Sequence, residues 1–147
     1  MRKELYQHIV KTLQPLEAEG YPLINHFDIY NQQTLYSQQE RPFALPAVLV
    51  EFLPIAWRPL PSGIREADIT FNLHIVVDST VWDYHQALDC FELHSIITKA
   101  LFCNNDTDNI STINLTASIT DNQADEFRVD IDTYQCLVRD TSTKVEL

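Results

Sequence analysis

The sequence predicts an α+β fold in which a mostly antiparallel sheet of about four to five strands carries two helices on one face, with residues 1–147 forming a single domain. Three observations carry this expectation. In "READITFNLHIVV", Ala67, Ile69, Phe71, Leu73, Ile75 and Val77 fall at every second position, the pattern of a strand with one buried face. Apolar residues recur at helical spacing in two other segments, one near the N-terminus and one after Asp83. The order helix, strands, helix, strands suits hairpins covered by helices on one side rather than alternating βαβ units.

Leu5, Ile9, Leu13 and Leu16 make an amphipathic first helix, which Pro15 ends or kinks near Leu13 because its ring removes a donor and clashes one turn back. Gly20 closes that segment, and "PLINHFDIYN" reads as a short strand. "NQQTLYSQQERPFAL" is polar and aperiodic, a loop or loosely held arm. "PAVLVEFLPIAW" is a strong strand that Pro54 limits to an edge, a bulge or an early end. "RPLPSGIRE" is the turn before the long strand. Asp83 followed by Gln86 predicts a capped helix start, and Cys90, Leu93, Ile96, Ile97, Ala100 and Leu101 form its apolar face, opposite Phe71 of the long strand. Asn104 and Asn105 supply a left-handed stop. Ile113, Leu115, Ala117 and Ile119 then alternate with polar residues in a half-wet strand. In the last strand Phe127, Val129 and Ile131 are followed by Tyr134, Cys136 and Val138 on the opposite parity, which predicts a bulge near Asp132–Thr133.

Composition excludes several functions. With Gly20 and Gly63 as the only glycines, no phosphate-cradling loop can be written. Acidic residues outnumber basic ones by 21 to 10, a formal charge of -11, so specific nucleic-acid binding by phosphate neutralisation is not expected. No window approaches the ~18 apolar residues of a membrane helix. Cys90, Cys103 and Cys136 show no C-x-x-C pairing and read as reduced thiols of a cytoplasmic protein, with Cys90 and Cys103 as small core residues. Asn105-Asp-Thr, Asn109-Ile-Ser and Asn114-Leu-Thr match the glycosylation pattern by chance in an Asn/Thr-rich stretch.

No catalytic, cofactor or metal residue emerges, and the chain is not expected to be an enzyme. His74 reads as a surface histidine on the polar face it shares with Asp68 and Asn72; its own strand offers only Asp78, ~13 Å along. His85, Asp89 and Glu92 share a helical face and would hold a metal only with help from elsewhere; a solvated face explains them equally. "NNDTDNIS" starts like a calcium loop but lacks the Gly at position six and the closing Glu. The nucleophile-elbow pattern around Ser62 is incomplete.

Five of the seven prolines lie between Pro42 and Pro61. They space Leu53, Ile55, Trp57 and Leu60 along a stiff arm, the candidate subunit interface. The other reading, equally open, folds Trp57 back over its own core.

An N-terminal helix, "PAVLVEFLPIAW", "ADITFNLHIVV", "ALDCFELHSIITKALF" and the closing "FRVDIDTYQCLVRDTS" together resemble the tail terminator, or tail completion, proteins of long-tailed bacteriophages and prophages. The likeness covers most of the chain; the Pro-rich insert and residues 31–45 have no counterpart in it. It implies a structural protein that forms a ring, usually a hexamer, capping the tail tube and joining it to the head. The partners implied are further copies of the chain, the tail tube protein and a head–tail connector, with no cofactor and no membrane. DNA would pass through the ring without specific binding. The implied location is the host cytoplasm during assembly and then the virion tail. Two other classes stay open: an unrelated α+β adaptor or binding module, and a small metal-dependent enzyme built on His85, Asp89 and Glu92.

Overall fold

A computed structural model describes residues 1–32, 43–79, 83–104, 107–121 and 127–145. The elements are α1 (Arg2–Leu13), a short hairpin β1 (Glu17–Ala18) and β2 (Tyr21–Pro22), β3 (His26–Ile29), β4 (Ala47–Phe52), β5 (Arg58–Pro59), β6 (Arg65–Asp78), α2 (Tyr84–Cys103), β7 (Asn114–Asp121) and β8 (Phe127–Asp140). The fold is α+β, as expected. The main sheet has six strands in the order β3-β4-β6-β8-β7, with β5 also paired to β6. That exceeds the expected count by β5, which at two residues is too short to leave a periodic signal, whereas β3 lies in the segment read as a short strand.

All pairings in the main sheet are antiparallel except β3 with β4, which is parallel. Parallel neighbours require a crossover, and residues 30–46 provide it. Most of the polar segment from Asn31 to Leu45 lies outside the described residues, but Tyr30, Phe43 and Leu45 at its ends pack on one side of the sheet. The side they cover is the one opposite the helices.

The main core lies beneath α1 and α2. Leu5, Ile9 and Leu13 of α1 and Leu93, Ile97 and Leu101 of α2 meet Val48 and Val50 of β4, Ile69, Phe71 and Leu73 of β6, and Tyr134 of β8. Phe71 is fully buried and stacks on Tyr134, with ring centroids 5.6 Å apart. Burial pushes the Tyr134 phenol well above its ordinary pKa despite a hydrogen bond with Thr98, and pushes the Cys136 thiol up to about 12. As expected, α1 ends at Leu13, and the Asp83 carboxylate caps α2 by accepting from the Gln86 amide at 3.0 Å. Asn104 closes α2 with φ -94° and ψ 99°, an extended geometry rather than the left-handed one expected. Cys103, expected in the core, is exposed.

A smaller second core on the other face joins Phe43, Ala47, Leu49, Val76, Phe127 and Val129. It explains the apparent parity change in β8. The register of β8 against β6 runs unbroken from Phe127↔Asp78 to Asp140↔Arg65, so the expected bulge is absent there. Phe127 and Val129 face the second core, Tyr134, Cys136 and Val138 face the helices, and Asp130 and Asp132 share the helix-facing side. The bulge lies instead in β7, between Leu115 and Ala117. It turns Ala117 and Ile119 away from the face that holds Leu115, so the four residues expected on one face are divided.

His74 is the clearest correction on the polar face. It is only 4% exposed, its Nε2 lies 3.0 Å from Glu51 Oε1, and it stacks on Tyr30 at 3.8 Å between centroids. Asn72 donates to the same Glu51 oxygen and accepts from Thr133. Burial works against ionisation of Glu51, but the hydrogen bonds from Asn72 and His74 outweigh it and lower its pKa. Here Tyr30 and Glu51 cover part of what a single alternating strand presents as a wet face. Asp68 alone of the three is exposed, paired with Arg58 at 3.3 Å.

Candidate functional site

The helix-facing side of the sheet is apolar over β4 and β6 but changes character toward β7. There β8 presents Asp130 and Asp132, both buried, to α2. Buried carboxylates must be paired or neutralised, and α2 supplies His94. Its Nδ1 lies 2.7 Å from Asp132 Oδ2, and its Nε2 lies 3.3 Å from Asp130 Oδ2 without hydrogen-bond alignment. Arg128 reaches the same Asp130 with Nε at 3.0 Å, and Thr120 of β7 donates to Asp130 Oδ1 at 2.6 Å.

Burial alone would keep His94 neutral. The contacts with Asp130, Asp132 and Cys90 outweigh burial and raise its pKa from 6.5 to about 11. Burial likewise opposes ionisation of Asp130, yet His94, Thr120 and Arg128 lower its pKa from 3.8 to about 2. At neutral pH His94 is therefore an imidazolium and Asp130 a carboxylate, and the two support each other's charge. Cys90 Sγ, one imidazole nitrogen of His94 and a carboxylate oxygen of Asp130 all lie within 4.8 Å of one another, a set with zinc-type donors. A cation there would have to displace the His94 proton and compete with Arg128.

Above the cluster, α2 and β7 enclose a groove of about 690 Å³. Phe91 and Phe102 of α2 and Leu115 of β7 wall it, at 53%, 52% and 41% exposure. Ser95, Thr98 and Lys99 line it along the helix. Arg128 lies 5.8 Å from the Phe91 ring centre, which joins the apolar wall to the charged floor. β7 is an edge strand, exposed at every position except the half-buried Asp121. The buried charges beneath the groove are paired with one another.

The chain shares its fold with part of a virion. One solved structure, "Virion of native gene transfer agent (GTA) particle", contains a chain that matches at a TM-score of 0.56 and 16% identity, over 92% of this chain and 95% of that one. No family model and no curated protein matches the sequence.

The residues singled out in the sequence lie elsewhere. Leu53, Ile55, Trp57 and Leu60 follow β4 on the far side of β6 and are each half-buried. Ile55 and Trp57 pack against the main core, and Arg65 lies over the Trp57 ring at 4.8 Å. The arm thus folds back in part and keeps some exposed surface. His85, Asp89 and Glu92 are all exposed on the first turns of α2, and none joins the His94 cluster. Sequence reasoning passed over His94. The available signal was Asp130 and Asp132 on the same strand face as Tyr134 and Cys136: two carboxylates in line with core residues demand a buried cation opposite.

Proposed function

We propose that this chain is a structural subunit of a phage-like tail, forming a ring that caps the tail tube and joins it to the head. The observation that carries the reading is the fold match to a virion chain across nearly the full length of both proteins. The sequence resemblance to tail terminators points the same way and adds the finer role. In this reading the chain is structural rather than catalytic. It contacts copies of itself, the tail tube protein and a head–tail connector, and it passes from the host cytoplasm into the virion tail.

A ring made from one chain needs two unlike surfaces that meet head to tail and close by rotation. The sheet has unlike edges, the short parallel β3 and the long antiparallel β7. The exposed parts of Leu53, Ile55, Trp57 and Leu60 would border the contact on the β4 side. A formal charge of -11 suits a channel that DNA crosses without adhering.

Labelled protein in purified particles tests the reading by electron microscopy. A ring of label at the head-proximal end of the tail is expected. Label along the shaft, or absent from the particle, would overturn it.

A further inference from the structure

The most exposed large apolar side chain among the described residues is Tyr21, at 75%. It is not on a loose loop. Glu17 pairs with Pro22 and Ala18 with Tyr21, and Glu19 (φ 55°) and Gly20 (φ 84°) close a two-residue turn with both central residues left-handed. The Leu23 amide donates to the Leu16 carbonyl at 3.0 Å and ties the base of the hairpin to the end of α1. An aromatic ring is therefore held in water on a short, braced projection with exposed carboxylates, Glu17 and Glu19, close by. Holding it there costs solvation that a purely structural hairpin would avoid. Rigid, exposed tyrosines are typical anchors of protein interfaces, where the ring is buried and the hydroxyl finds a polar partner.

We propose that Tyr21 docks into the α2–β7 groove of a second copy of this chain and forms the repeated contact of the ring. The proposal rests on the ring reading above. Three features of the molecule select this occupant. The first is placement. The hairpin leads from α1 into β3, the groove lies between α2 and β7, and β3 and β7 are the two ends of the main sheet, with β4, β6 and β8 between them. A projection on one flank and a recess on the other make a heterologous contact, and the same contact repeated gives a ring where the rotation between neighbours closes.

The second feature is chemistry. Phe91, Phe102 and Leu115 offer a Tyr ring aromatic and aliphatic walls, and Ser95 and Thr98 lie within the same groove for its hydroxyl. The third is charge. Copies of a chain at -11 repel one another, so a self-contact needs a local attraction. Lys99 is exposed at the groove, and Glu17 and Glu19 would arrive beside the docked ring. A neutral hairpin would supply no such attraction, and an acidic groove would oppose it.

Photo-crosslinking tests the contact directly. The full chain is prepared with p-benzoylphenylalanine in place of Tyr21, and nitrogen-14 and nitrogen-15 preparations are mixed at high concentration and irradiated. Crosslinked peptides carrying both isotopes should join position 21 to residues 91–102 or 115–120. Mixed-isotope crosslinks elsewhere would overturn this contact while leaving a ring possible, and a complete lack of inter-copy crosslinks would overturn it as well. Because Tyr21 is exposed, Tyr21→Ala should fold normally, as circular dichroism will show. It should weaken self-association by roughly 30-fold, the loss of an aromatic anchor. Glu17→Lys and Lys99→Glu should each weaken association and together restore it. Failure of the pair to restore it, or undiminished association of Tyr21→Ala, would refute the proposal. Head-proximal label in particles combined with a failed crosslink would reject the contact alone. Particles without the protein would reject the ring.

Discussion

Replacing His94 with Leu should be among the most damaging single changes in this protein, and the damage should depend on pH in a defined way. In the native state His94 lies 2.7 Å from Asp132 and 3.3 Å from Asp130. At an effective dielectric of about 20, each contact is worth roughly 5–6 kcal/mol before desolvation is subtracted. Leucine fills similar space but leaves Asp132 buried without its cation, whereas Asp130 keeps Arg128. Breaking a buried pair from one side costs about 3–5 kcal/mol, and we expect that loss at pH 7 by urea denaturation. The native pKa of His94, about 11, lies above the unfolded value of 6.5. Its stabilisation is therefore complete below pH 6.5, declines as pH rises, and is gone above about 11. Through that window the native state binds one more proton than the unfolded state, so stability falls by about 1.4 kcal/mol per pH unit. From pH 7 to 8.5 the parent should lose about 2 kcal/mol more than His94→Leu. Equal pH slopes in the two proteins, or a variant within about 0.5 kcal/mol of the parent at pH 7, would refute the assignment of a buried imidazolium.

Truncating Phe71 to Ala removes a fully buried ring stacked on Tyr134 and should cost about 3–5 kcal/mol, measured by urea denaturation; a loss below about 1 kcal/mol would contradict the packing. His85→Ala, on the exposed start of α2, should change stability by less than about 0.5 kcal/mol and leave assembly intact. Gly63→Ala should cost about 1–3 kcal/mol, because φ is +77° there and a Cβ would clash with the Thr143 carbonyl oxygen. Faster amide exchange at Val145, whose N–H donates to Ser62, would locate that damage.

Elements whose neighbours matter little were legible in the sequence. The alternation of β6, the apolar faces of α1 and α2, and the Asp83 cap are local patterns, and each stands in the structure as read. What escaped depends on a partner distant in sequence. His74 looks wet until Tyr30, 44 positions away by numbering (74 − 30), is stacked on it. Asp130 and Asp132 look like solvent-facing residues of β8 until the unbroken register with β6 puts them on the same side as Tyr134. The run Ile113 to Ile119 looks like one face until the bulge divides it. Period-2 reasoning assigns alternate residues to two faces; it says nothing about whether the second face is also covered, and here Tyr30, Phe43 and Leu45 pack on it.

The irregularity between Leu115 and Ala117 has a consequence for how copies can add to one another. A straight, fully exposed edge strand is a template that any other straight strand can extend, and repeated extension leads to fibres of unlimited length. In β7 the step in register interrupts the row of outward amides and carbonyls, so an incoming strand in register with one half is out of register with the other. Growth by backbone pairing is frustrated, and any contact made at this edge has to rely on side chains. The same small defect that spoils the edge as a template therefore protects the protein from open-ended, strand-by-strand addition, whatever partner this edge meets.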